Sequence, residues 1–82
     1  MTDSELIALY QARDPRAVEE TRAQYGAWCA AIARRLLTDS RAVEECLNGC
    51  ALAVWDAIPP AEPKHFRGWL GAIVRHRALG LV

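Results

Sequence analysis

From Arg16 to Ile58 the chain runs without a proline, and across that stretch its apolar residues return every three or four positions. That spacing follows the 3.6-residue period of an α-helix, and no segment alternates with period two for long enough to read as a strand. The breakers fall at Pro15, Pro59, Pro60 and Pro63, with scattered glycines between. The pattern predicts an all-α fold, a compact antiparallel bundle of about four helices occupying residues 1–82 as one domain. With 82 residues, 52% of them hydrophobic, such a bundle has enough apolar material for a core without staples.

The first helix is predicted from about Asp3 to Ala12. Thr2, Asp3 or Ser4 can cap it, and Leu6, Ile7, Leu9 and Tyr10 form its stripe. Asp14 then caps a second helix with Pro15 in its first turn, where a missing N–H costs nothing. That helix runs to about Leu37 with Val18, Tyr25, Cys29, Ile32 and Leu36 inward, and Trp28 and Leu37 widening the face. Asp39 or Ser40 caps a third, about Arg41 to Ile58, burying Val43, Cys46, Leu47, Cys50, Val54 and Ile58. Pro59-Pro60 stops it. A fourth runs from about Lys64 to the end with Phe66, Trp69, Leu70, Ile73, Val74 and Leu81 on its stripe. The chain stops at Leu81-Val82 without a C-terminal cap, as an excised N-terminal domain of a longer chain would.

Net charge is zero, but the charge is polarised. Residues 63–82 carry Lys64, Arg67, Arg75 and Arg77 and no acid, a net of +4. Residues 39–62 set Arg41 against Asp39, Glu44, Glu45, Asp56 and Glu62, a net of −4. Adjoining segments of opposite sign suit a basic face for phosphate and an acidic face for a protein partner.

The N-terminus lacks the basic start and apolar run of a signal peptide, and no apolar stretch reaches the roughly 18 residues of a membrane span. Three cysteines, Cys29, Cys46 and Cys50, form no CxxC. Cys46 and Cys50 share one helix face, where free thiols act as small apolar groups rather than metal ligands or disulfide partners. These features read as a cytoplasmic chain with reduced thiols. His65 and His76 have no nucleophile or carboxylate at motif spacing, and there is no phosphate-cradling glycine loop or zinc-hydrolase signature. The sequence predicts neither catalysis nor a cofactor.

Three segments together resemble the extracytoplasmic-function (ECF) class of bacterial sigma-70 factors, in their region 2. The first is an acidic opening helix followed by Asp14-Pro15-Arg16-Ala17-Val18-Glu19-Glu20, where family members often read a short Gly-Asp type turn, then Ala-Phe and acids. The second is Arg34-Arg35-Leu36-Leu37-Thr38-Asp39-Ser40-Arg41-Ala42-Val43-Glu44-Glu45, then Leu47-Asn48, closed by Leu52-Ala53-Val54-Trp55. The third and most specific is Phe66-Arg67-Gly68-Trp69-Leu70, followed by Ile73, Arg75 and Ala78-Leu79, similar to the family's "Phe-Arg-Ala-Trp-Leu…Ile-Ala-Arg-Asn". The likeness spans nearly the whole chain, in order and with matching spacing.

The resemblance implies transcription initiation. It implies that the third helix docks on the coiled coil of the largest subunit of core RNA polymerase through Glu44, Glu45 and Asn48. It also implies that the fourth helix and the loop before it contact the non-template strand of the minus-ten promoter element through Lys64, His65, Arg67, Trp69, Arg75, His76 and Arg77. Basic side chains neutralise phosphate, and an aromatic can stack on an unpaired base. Trp69 suits stacking and core filling equally; Trp28 and Trp55 read as core. An anti-sigma factor is a possible further partner.

The chain departs from the family pattern at several positions. Asn48 stands for Gln, Gly49 for an acid, Ala51 for a large aromatic, Gly71-Ala72 for a Tyr-Arg type pair, His76 for Asn and Gly80 for Asp. These departures keep a second reading open, a sigma-like protein-interaction module bound by an anti-sigma factor or acting as a decoy. A third is a helical bundle dimerising through its aromatic faces.

Overall fold

The first helix is set by two side chains. In the computed structural model, which describes residues 1–82, Thr2 Oγ1 accepts the Glu5 N–H at 3.1 Å and Glu5 Oε1 accepts the Thr2 N–H at 2.8 Å. This reciprocal capping box opens α1 (Asp3–Gln11). The bond from the Thr2 backbone holds the Glu5 carboxyl below its ordinary pKa.

The far end of α1 closes in a 6→1, 5→2 pattern. The Asp14 N–H reaches the Leu9 carbonyl at 2.9 Å, and the Arg13 N–H reaches that of Tyr10 at 3.0 Å. The motif holds Arg13 at φ 56, the left-handed conformation usually left to glycine. A side chain there costs roughly 1–2 kcal/mol. Contacts to α3 (Ser40–Ala57) offset it. Arg13 Nη1 donates to the carbonyls of Trp55 at 2.6 Å and Ile58 at 2.8 Å, and its guanidinium lies 3.8 Å from the centre of the Trp55 ring. Arg13 thus caps the C-terminus of a helix far away in sequence, where a positive charge also suits the helix dipole.

The N-cap of α2 (Arg16–Leu36) is Pro15, one residue later than the Asp14 expected from the sequence, and Asp14 supports the first turn from just outside it. Its Oδ1 accepts the Arg16 N–H at 3.0 Å, and its carboxylate pairs with the Arg16 guanidinium at 2.7 Å. At 1.5 Å per residue this helix is about 31 Å long, close to the 35 Å long dimension of the molecule. Asp39 accepts the Arg41 N–H at 3.0 Å to start α3. The last helix, α4 (Phe66–Leu81), starts two residues later than Lys64. Lys64 and His65 lie in a bend without a capping side chain, and the first turn closes when the Trp69 N–H bonds the His65 carbonyl.

Helices α2, α3 and α4 pack pairwise, and α1 lies on α2 and touches α4. The core takes Leu6 and Tyr10 from α1, Val43, Cys46, Cys50 and Val54 from α3, and Phe66, Leu70, Val74 and Ala78 from α4. The stripes read for α1, α3 and α4 hold in outline, with Ile7, Leu9, Leu47, Trp69 and Ile73 half-buried against the core and Leu81 exposed. On α2 the register differs. Its buried line is Ala17, Cys29, Ala30 and Ala33, while Val18, Tyr25, Ile32 and Leu36 are half-buried on its flanks. Small side chains occupy the closest approach between helices, and the larger ones reach around the sides. Trp28 and Trp55 likewise sit half-buried at the rim rather than in the core.

Tyr10 is buried with its hydroxyl 2.7 Å from Thr21 Oγ1, which itself donates to the Ala17 carbonyl at 2.8 Å. No buried side-chain nitrogen or oxygen lacks a partner. All three cysteines are buried free thiols. Burial raises the pKa of Cys29 and pushes Cys50 up to about 12, so both stay neutral and pack as apolar groups. No helix is long and apolar enough to cross a membrane.

Candidate functional site: a basic aromatic edge and an acidic helix face

The basic residues of α4 are free of internal neutralisation. The pair Asp14–Arg16 is the sole salt bridge in the molecule, so Lys64, Arg67, Arg75 and Arg77 have no carboxylate partner. Arg67, Arg75, His76 and Arg77 are exposed along α4, and Lys64 and His65 are exposed in the bend before it.

Arg67 is aimed by an aromatic from another helix. Its guanidinium lies 4.7 Å from the ring centre of Trp28 on α2. The Trp28 ring is seated on Gly71, where an added Cβ would come within 2.8 Å of it. The position that departs from the family's Tyr-Arg pair is therefore filled, from α2 instead of α4. Neighbouring rings continue the edge: Tyr25 and Trp28 are 6.0 Å apart, Tyr25 and Phe66 5.9 Å, and Phe66 and Trp69 6.0 Å. The Tyr25 hydroxyl donates to Asp3 Oδ1 and so ties α1 to this edge; losing that donor to ionisation is unfavourable, which raises the Tyr25 pKa.

The seven residues assigned to DNA by sequence do not form one patch. Arg67 lies at the α2 edge. Trp69 is half-buried against Phe66, and His76 follows two turns later on the same side of α4. Arg77 turns the other way, onto α3. A Cβ on Gly49 would meet its Nη1 at 3.1 Å, so the glycine that replaces an acid there leaves room for this arginine.

On α3, Glu44, Glu45 and Asn48 are all exposed, as a docking face requires. The structure adds Leu52, 66% exposed, and Asp56, each one turn further along. Beneath Glu44 and Asn48, between α2 and α3, lies a cleft of about 450 Å³. Sequence reasoning missed Trp28 and Leu52. The four-residue step from Asn48 to Leu52 to Asp56 was a legible sign of the second; nothing in a single helix pattern announces the first.

A four-helix bundle with exposed faces of opposite charge and an aromatic edge defines a macromolecular interaction domain. The model of the family Sigma-70 region 2 matches residues 22–81, and the chain belongs to that family. No curated protein and no solved structure gives a significant match. Family membership gives the domain a sigma-factor-like role in transcription initiation, working with RNA polymerase and promoter DNA. Region 2 is a non-enzymatic transcription-factor domain.

Proposed function

We propose that residues 1–82 form the region 2 domain of an ECF-type sigma factor acting in the cytoplasm. In this reading α3 docks on the coiled coil of the polymerase largest subunit through Glu44, Glu45 and Asn48. The bend and α4 take the non-template strand of the minus-ten element through Lys64, His65, Arg67, Trp69, Arg75 and His76, while Arg77, turned onto α3, stands apart from them. The observation that carries the reading is the set of exposed cations on and before α4, none paired with an acid, beside a half-buried aromatic edge. Unpaired cations attract phosphate, and the partly open Trp69 offers a ring to an unstacked base. The domain captures bases already unpaired, so it works on polymerase-bound DNA.

The test is capture of a labelled minus-ten non-template oligonucleotide by this domain bound to core polymerase. Arg67→Glu and Arg75→Glu are each expected to weaken capture by about tenfold or more. Glu44→Arg is expected to remove the domain from the polymerase. Charge reversals without effect on either event would refute the assignment. A second reading, an anti-sigma-bound or decoy module, draws on Arg77 lying over Gly49, which places a cation beside the acidic face. It predicts polymerase or anti-sigma binding with no capture of the strand.

A further inference from the structure

The cleft between α2 and α3 runs from the surface into the core. At about 450 Å³ it has the size of a small-molecule pocket. Its floor is formed by Tyr10, Cys29, Cys50, Val54 and Leu70, all buried. That floor leaves no polar group in need of a partner. The Tyr10 and Thr21 hydroxyls bond each other, Thr21 also donates to the Ala17 carbonyl, and no buried side-chain nitrogen or oxygen is unsatisfied. A molecule that reaches the floor is therefore apolar at its inner end. The outer part of the cleft differs. Two charged side chains line it, one of each sign: Arg22 from α2 and Glu44 from α3, both exposed. They face the same cleft without pairing, since the sole salt bridge of the molecule is Asp14–Arg16. Asn48, one turn beyond Glu44, adds an amide that can both donate and accept.

We propose that this cleft binds a free α-amino acid with a large apolar side chain, aromatic or leucine-like. The side chain fills the apolar interior, entering beside Ala51 and packing on Val18 and Leu47. The carboxylate meets Arg22 and the ammonium meets Glu44, with Asn48 beside them. Charge selects this occupant. An apolar carboxylic acid would satisfy Arg22 and bring a like charge toward Glu44. An apolar amine would satisfy Glu44 and oppose Arg22. A residue inside a peptide carries neither charge and leaves both side chains unmet. A zwitterionic head answers the two together. The site is independent of the promoter and polymerase reading, and the chain alone suffices to test it.

The test is a titration of the chain with L-phenylalanine and with L-leucine, followed by calorimetry and by methyl resonances. At least one of the two is expected to bind saturably with a Kd below about 1 mM and to shift the Val18, Leu47 and Leu70 methyls. Removing one charge from the ligand is expected to weaken binding about tenfold or more. The probes are 2-phenylethylamine and 3-phenylpropionate for phenylalanine, and 3-methylbutylamine and 4-methylpentanoate for leucine. Arg22→Gln and Glu44→Gln, at exposed positions outside the core, are each expected to lose a similar factor, and Ala51→Phe is expected to close the cleft to both amino acids. Absence of saturable binding by either amino acid overturns the proposal. Equal binding by a single-charge probe overturns it too, because the cleft would then hold any apolar body. So does parent-like affinity in both Arg22→Gln and Glu44→Gln, or binding that leaves the three methyls unshifted, whether or not Ala51→Phe folds.

Discussion

The two flanks of α2 make opposite use of small residues. Toward α4, Gly71 leaves a space, and Trp28 fills it so closely that a single Cβ would collide. Toward α3, Gly26, Ala27 and Ala51 also leave a space, and nothing in the chain enters it. A glycine or alanine in place of a bulky residue therefore has no fixed meaning. On the first flank the missing bulk is supplied by a neighbouring helix, and the seam is closed. On the second it is not supplied, and the seam is open, with Glu44 and Arg22 in its lining. The closed seam positions Arg67, proposed to meet nucleic acid; the open one lies under the residues proposed to meet protein.

Emptying the closed seam tests the contrast most severely. Trp28→Ala is expected to cost about 2–4 kcal/mol in urea unfolding and to weaken strand capture, because Arg67 loses its platform. Adding Gly71→Phe to Trp28→Ala should recover part of that loss, although Gly71→Phe alone destabilises; a double-mutant cycle measures the coupling. A Trp28→Ala variant as stable as the parent would mean that the seam is not closed in solution.

Next comes the clamp where the open seam ends at Trp55. Arg13→Ala should cost about 1–3 kcal/mol by stripping two hydrogen bonds from the end of α3. Arg13→Gly should cost less, since it also relieves the left-handed backbone. Equal losses in the two variants would show that φ at this position stores no strain. Filling the open seam reverses the sign: Ala51→Phe should raise stability by about 1 kcal/mol through added apolar burial, and a drop would show a cleft too narrow to fill.

The thiols by the open seam give a pH-dependent effect. Cys50 is raised from 9.0 to about 12 in the fold, so its neutral form is favoured there. That contribution is complete below pH 9 and is lost as pH climbs from 9 toward 12. Alkaline unfolding of the parent against Cys50→Ala should show the variant with the shallower decline; identical slopes would remove the thiol from the account. The smallest effect belongs to Gly49→Ala, where a helix-propensity gain of about 1 kcal/mol is opposed by displacing the flexible end of Arg77. Thermal melts are expected to be nearly unchanged.

Helix number, order and most boundaries were legible because Thr2, Asp14, Asp39 and Pro59-Pro60 act locally, each within a few residues of the end it sets. The register of α2 was not. Periodicity weights large apolar residues, and this helix puts Ala17, Ala30 and Ala33 at the closest approach while Val18 and Ile32 cover its flanks. The site divides in the same way. Exposure of Glu44, Glu45 and Asn48 follows from the α3 stripe and was readable from it. The pairing of Trp28 with Gly71 and Arg67, and of Arg77 with Gly49, joins residues on different helices that no single stripe links. Arg13 was silent for a related reason: its task lies at the end of α3, beyond any local pattern.

The solitary ion pair between Asp14 and Arg16 joins residues two apart on the surface and holds no two helices together. Ionic strength should therefore leave folding of this domain almost untouched, because its tertiary structure contains no charge pair for salt to screen. Binding to nucleic acid has the opposite sensitivity, since each phosphate neutralised releases a counterion. A plot of log affinity against log salt, taken with the domain on polymerase and corrected by the same series for polymerase binding alone, then counts phosphate contacts directly. Its slope is uncontaminated by partial unfolding, a separation that a bundle stitched together by interhelical ion pairs would not allow.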